Sequence, residues 1–344
     1  MIKNYKIFIY LYFFLISKSI LASSSASFLI SQNAFNNYDF DQVLLEYRTN
    51  QNEVYKGDYL DELISAVVTE NINVAEKIAK KILINEPNNQ EAKLVSMVRA
   101  YNNKKENELN SLRLNSLGNK NDLFEFLFYV DDKLKTKSSI SNSFLDIVRS
   151  SYSKNDINYS KNYNFLLFYV SLSIYINNEN YEAVFIKGQL LQLIENYLFA
   201  EKTYLAIPST SNFFLDAQRN IAFSYAQENV FADAENKIIQ IVKKNSKDHE
   251  LKKILADFYR IKKKFDLAIN LYSELIEDNY NDTWYLFYLR GICYEQADNW
   301  EIAEKDFIKS LKLKRNSPNV LNYLAYGWIE RDIRIEESFV MLTD

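Results

Sequence analysis

The sequence predicts an all-α fold, an α-solenoid built from antiparallel helix pairs stacked side by side. Three observations predict it. Small residues recur at Gly188, Ala222, Ala256, Gly291 and Ala325, with gaps of 34, 34, 35 and 34 residues. A fixed period in this range marks an array of one supersecondary unit rather than a single globular core. Within a period the apolar residues fall three and four apart, as in Phe287, Gly291, Tyr294 and then Trp300, Ala303, Phe307, Leu311, which is the spacing of one helical face. Finally, 344 residues contain 5 Gly and 3 Pro, too few breakers for an all-β or loop-rich chain.

Residues 1–26 read as a leader. Lys3 and Lys6 precede an apolar run from Ile7 to Ile16, and small and polar residues follow from Ser17 to Ala26. That is the layout of a secretory signal peptide, and the run is shorter than the ~20 residues of a membrane-spanning helix. Cleavage after Ala22 and after Ala26 both fit; an uncleaved leader would anchor the chain in the inner membrane. The expectation is a bacterial protein of the periplasm or cell envelope.

Residues 27–180 read as degenerate helical repeats. Ser31, Ala34, Phe40, Val43 and Tyr47 fit the period loosely. The apolar blocks Leu123–Val130, Phe144–Val148 and Phe165–Ile176 are predicted helices, with an insertion near Ser151–Asn162. The regular array occupies 181–344. Leu191, Tyr225, Tyr259, Tyr294 and Trp328 follow the small residue by three places. Tyr197, Phe231, Phe265 and Trp300 open the second helix, and Ala200, Ala234, Ala268 and Ala303 come three later. Polar breaks such as Gln227–Asn229, Lys262–Lys264 and Gln296–Asn299 separate the paired helices. Helices pack about 8–10 Å apart, so Gly291 and Ala303 let a pair nestle while Tyr294 and Phe307 fill the remaining volume. After Ile335–Phe339 the last helix has room for about two turns of 3.6 residues, with Phe339 and Met341 on its surface. A chain continuing into further repeats is expected.

These residues carry a resemblance. The unit Phe287-x-x-Arg290-Gly291-x-x-Tyr294 … Ala303-x-x-x-Phe307 resembles the tetratricopeptide repeat, as do Leu255-Ala256-x-x-Tyr259 … Ala268-x-x-x-Tyr272 and Ile221-Ala222-x-x-Tyr225 … Ala234-x-x-x-Ile238. Upstream, Ala75, Ala79 and Pro87 keep the family's spacing from second-helix alanine to closing proline. Arg290 and Lys187 stand where the family has leucine, Pro318 comes late, and Ser338 lies one place beyond the expected alanine. The stretch Asp282–Gly291, with Pro318–Tyr326 and Trp328–Arg331, is similar to the repeat arrays of exported alphaproteobacterial proteins of this family. The resemblance implies a right-handed superhelix, a partner-binding groove and no enzymatic activity.

Composition narrows the chemistry further. Net charge is −4, and losing Lys3, Lys6 and Lys18 with the leader makes it −7. Nucleic-acid binding needs a positive field, so no nucleic-acid partner is expected. A single cysteine, Cys293, excludes an internal disulfide, and it reads as a small buried side chain. With one histidine, His249, in a polar turn, the chain has no structural zinc set. Scattered glycines make no phosphate loop, and no cofactor or metal is expected. Adjacent acids such as Asp131–Asp132 and Glu336–Glu337 read as solvated.

In this family the first helix of each pair lines the groove. The positions three before, one after and four after the small residue then include Phe185, Gln189, Arg219, Phe223, Lys253, Asp257, Arg260, Tyr288, Ile292, Asn322 and Tyr326. Aromatic and arginine side chains commonly anchor interfaces. The expected partner is a peptide or protein whose acidic group meets Arg219 and Lys253 and whose apolar side chain meets Tyr288 or Tyr326. Two alternatives stand. One is an envelope hydrolase or ligand-binding protein with buried carboxylates among Asp131, Asp132, Asp146 and Asp156. The other is a membrane-tethered assembly factor.

Overall fold

The computed structural model describes residues 24–49, 59–114, 123–131, 133–153, 163–227 and 233–343. The predicted leader lies outside them up to residue 23, as do Phe231, Asp132, Asp156 and most of the expected insertion. The described residues are helical almost throughout, in antiparallel pairs. The all-α solenoid architecture is therefore present in each of two compact units, one up to Ile207 and one from Pro208.

The first unit contains α1 (Ser24–Asn36), α2 (Phe40–Thr49), α3 (Leu60–Val68), α4 (Ile72–Asn85), α5 (Gln90–Asn102), α6 (Glu106–Leu114), α7 (Leu123–Phe128), α8 (Lys137–Ser153), α9 (Tyr163–Ile176), α10 (Tyr181–Leu193) and α11 (Tyr197–Leu205). The loosely fitting repeats are real hairpins. Ala34, Phe40 and Val43 are buried between α1 and α2, and Ala75 and Ala79 are buried on α4. Helix α9 is apolar on every side, the signature of a helix with no solvent face. It packs against α3, α5, α8 and α10, with Leu167, Phe168, Val170, Leu172 and Ile176 fully buried.

The block Leu123–Val130 is not one helix. It stops at Phe128, and Tyr129–Val130 pairs with Lys133–Leu134 as a two-residue antiparallel hairpin. Tyr and Val favour extended backbone, and Asp131 enters the turn at φ 49°. The units divide at 207/208, one hairpin later than the 180/181 boundary read from the sequence. Lys187 on α10 belongs to the first unit. Its ammonium, wholly buried, donates to the Val68 carbonyl at 2.9 Å and to Glu70 at 3.0 Å, which binds α10 to the end of α3.

The second unit contains α12 (Phe214–Ala226), α13 (Ala234–Lys244), α14 (His249–Ile261), α15 (Phe265–Glu277), α16 (Thr283–Gln296), α17 (Trp300–Leu313), α18 (Pro318–Ile329) and α19 (Ile335–Thr343). Its small residues do the expected steric work, against a partner sixteen places on in the second helix. Ile238, Tyr272 and Phe307, sixteen places after Ala222, Ala256 and Gly291, are fully buried, and Phe307 faces Gly291 as Tyr204 faces Gly188 in the first unit. A Cβ added at Gly291 would lie 2.7 Å from the Phe307 ring, and one at Gly188 2.5 Å from Tyr204 Cζ. Ala200, Ala268, Ala303 and Ala325 are fully buried, as expected; Ala234 is only half-buried, and on α13 Ile238 alone is buried.

Seven of the described turns within hairpins share one solution. A non-glycine residue takes positive φ at Tyr38, Glu70, Lys104, Glu195, Lys263, Asp298 and Asp332. The amide after it donates to the carbonyl five residues back, for example Lys264 to Tyr259 at 2.8 Å and Asn299 to Tyr294 at 2.8 Å. This is a Schellman-type cap, whose left-handed position glycine usually fills. The α18–α19 turn is longer, with Arg334 also at positive φ. That extra length is why the small residue of α19 is Ser338, fully buried, one place late.

Candidate partner-binding face

Residues three before, one after and four after each small residue share one face of α12, α14, α16 and α18. The structure divides them into paired, buried and exposed groups. Arg219 is locked. It donates to Asp248 through Nη2 at 2.7 Å and to Asp216 through Nη1 at 2.7 Å. Asp248 also accepts the Leu251 amide at 2.8 Å, capping α14. The hydrogen bond with Asp248 holds the Arg219 guanidinium above its ordinary pKa. Arg219 is therefore a brace between α12 and α14, not a vacant cation for a partner's acid.

Tyr288 is likewise unsuited to its expected role. Only 8% exposed, its ring packs against Tyr285 at 5.8 Å, Tyr323 at 5.6 Å and Phe307 at 6.3 Å. Burial pushes its phenol up to about 12. Such a side chain fills the core between hairpins.

The middle of the face is a polar cluster. Lys253 donates to Asp257 at 2.9 Å, the Tyr272 hydroxyl donates to Asp257 at 2.6 Å, and Arg260 Nε donates to the same hydroxyl at 3.3 Å. Arg260 Nη2 lies 3.5 Å from Asp257, a loose contact. Burial works against the Lys253 charge, and Asp257, with Glu250 and Tyr285, more than offsets it. Two cations thus face one carboxylate, and Arg260 keeps donors to spare. Sequence reasoning missed Tyr272 because it belongs to a second helix. Its signal was present, since the residue sixteen after a small residue reaches across the crossing. Tyr204 does the same in the first unit, donating to Gln192 at 2.8 Å. There Phe185 packs its ring on Tyr204 at 5.8 Å, and Gln189 is exposed.

The exposed members are Phe223 (49%), Tyr326 (58%) and Asn322, with Ile292 half-buried. Phe223, Asp257, Ile292 and Tyr326 all occupy the position just after the small residue. The two departures at the leucine position also have causes. Lys187 is the first-unit clasp already described. Arg290 makes a bidentate pair with the buried carboxylate of Asp306, 2.8 Å on each arm, and reaches Ser273 at 2.9 Å.

Other candidate groups are structural or solvated. His249 meets Asp278 at 3.1 Å and stacks near Tyr280. Of the basic turn, Lys264 is not merely solvated, since it pairs with Glu235 at 2.5 Å. Cys293 is buried, and burial pushes its thiol up to about 12. Asp131 and Asp146 are exposed, with Asp146 paired to Arg149 at 2.8 Å, which removes them as a buried catalytic pair. No described helix is long and apolar enough to cross a membrane.

No family model matches the chain, and no curated protein does. Among solved structures it is similar to yeast Tom70, at 15% identity over 92% of this chain and 90% of that one, TM-score 0.42. It is also similar to MamA AMB-1, at 17% identity over 46% and 94% of the two chains, TM-score 0.39. A tetratricopeptide repeat protein from Parabacteroides merdae matches at 17% identity over 79% and 99%, TM-score 0.35. What decides the architecture is internal: a period of 34–35 residues, paired helices, and a buried small residue at each beat, facing a large ring at Gly188 and Gly291. The chain is a helical repeat protein built from paired antiparallel helices.

Proposed function

We propose that the chain is a non-enzymatic scaffold, exported to the cell envelope, that holds a peptide or protein partner along the first-helix face of residues 208–344. The observation that carries this reading is the register position just after each small residue. It presents Phe223 and Tyr326, each about half exposed, on either side of Asp257 and Ile292 in sequence. Large exposed side chains recurring on one face are what an extended partner can engage in turn. Arg260, with spare donors, supplies a cation for an acidic group between those apolar contacts.

The test is Phe223→Ala combined with Tyr326→Ala. Both side chains are exposed, so the melting midpoint should stay within a few degrees of the parent. Proteins crosslinked to the tagged parent in envelope extract should be lost from the variant. Retention of the same proteins would overturn the reading. Export rests on the leader at residues 1–26, and N-terminal sequencing of the secreted chain distinguishes cleavage after Ala22 or Ala26 from an uncleaved membrane anchor.

A further inference from the structure

The first unit carries a cleft that the groove reading leaves unused. It measures about 550 Å3 and is lined from three stretches far apart in sequence, at 37–41, Thr69 and 194–202. That volume falls within the range of ligand pockets, about 300–1,000 Å3. Only the folded unit brings these stretches together, because they sit at the turns of three different hairpins.

The lining sets aromatic rings beside acids. Phe40 is 2% exposed, and the Tyr38 ring stands edge-on to it at 6.4 Å. Phe199 enters from the first turn of α11. Asp39, Asp41 and Glu195 stand in the same cleft. Asp39, just before α2, accepts the Gln42 amide at 3.1 Å, and no described cation pairs with any of the three. Lys202 holds its ammonium 5.8 Å from the centre of the Phe199 ring. Lys187 lies 5.1 Å from that same ring, and its charge is taken up by the Val68 carbonyl and Glu70. The balance at the cleft is negative.

Three carboxylates beside aromatic rings suit a cation on an apolar stem. The charged head gains from the acids and from the half-buried Tyr38 ring, while the methylenes cover apolar surface. An anion would meet like charge. A purely apolar ligand would desolvate carboxylates without pairing them, which is costly. We propose that this cleft takes a lysine or arginine side chain presented by an extended segment of a partner protein.

The test is titration of the full chain with a fluorescent peptide amide, Gly-Leu-Lys-Leu-Lys-Gly, read by anisotropy. Its twin with glutamate in place of lysine and the free polyamine spermine serve as the other arms. The basic peptide should bind, and the acidic twin should not. Asp41→Asn with Glu195→Gln should weaken binding about three- to tenfold, as expected for two exposed charges, with an unchanged melting midpoint. Lys202→Glu should strengthen it by a similar factor. Tyr326→Ala, in the other unit, should leave it unaltered, so a failure of the groove reading is separable from a failure here. Equal affinity in the Asp41/Glu195 variant, equal binding of the acidic twin, or binding of spermine without the peptide would overturn the proposal.

Discussion

Replacing Gly327 by alanine tests the packing that locks one hairpin onto the next. Gly327 lies on α18, and a Cβ there would collide with Cη2 and Cζ3 of Trp300 on α17 and lie 2.9 Å from Cζ2. Carbon atoms settle about 3.5–4.0 Å apart, so the indole would have to retreat by roughly 1 Å or more. It has little freedom to do so. The Arg331 guanidinium covers it at 4.3 Å from the centroid, and the Phe307 ring stands 6.2 Å away. Two effects then oppose each other. Alanine in place of glycine inside a helix is worth about 1 kcal/mol of stability. Overpacking costs about 1–3 kcal/mol, and contacts this short belong at the upper end. A net loss of about 1–2 kcal/mol is expected. Urea midpoints of the full chain, its Gly327→Ala and Trp300→Phe variants and the double variant measure it. Phenylalanine lacks the atoms that the Cβ strikes, so Gly327→Ala should cost little in the Trp300→Phe background. A Gly327→Ala chain as stable as the parent, or a loss independent of Trp300, would refute the reasoning.

Other consequences are as direct. Lys263→Gly should raise stability by about 0.5–1 kcal/mol, since a side chain at positive φ costs about 1–2 kcal/mol and part of the gain returns as unfolded-state freedom; an unchanged or lower urea midpoint would contradict this. Arg290→Leu leaves the buried Asp306 carboxylate without its partner and should cost about 3–5 kcal/mol. Adding Asp306→Ala should recover much of that, and denaturant titration of the three chains decides it. Alkaline pH should drain stability. Cys293 is pushed from 9.0 up to about 12, and Tyr288 and Tyr169 from 10.0 up to about 12, all by burial. The unfolded chain releases these protons first, so their contribution is complete below pH 9 and fades as pH climbs toward 12. Lys187, lowered by burial, works the other way on its own. A midpoint that stays flat from about pH 9 to about pH 11 would count against this balance, and Cys293→Ala should flatten its lower part. At neutral pH a thiol reagent should label Cys293 no faster than the chain unfolds.

Helix pairs, their period and the crossing residues were legible in the sequence because they follow from local periodicity and sterics. A 34–35-residue beat of small residues can bury its apolar faces only against its neighbours, and the buried Ala222, Ala256 and Gly291 do so. Even the degenerate N-terminal repeats kept enough of the pattern to place α1, α2 and α4. The tertiary structure alone decided which polar side chains are available to a partner. Arg219 looks like a vacant cation in one dimension, yet Asp248, 29 residues away, is folded against it. Tyr288 looks like a surface aromatic until Tyr323 and Phe307 close over it. Lys187 and Arg290 look like blemishes in a repeat and turn out to be a clasp and a bidentate pair. Gly327 became informative only beside Trp300. The reason is physical: periodicity reports which face of a helix is covered, whereas the pairing of a charge depends on groups that arrive from other hairpins.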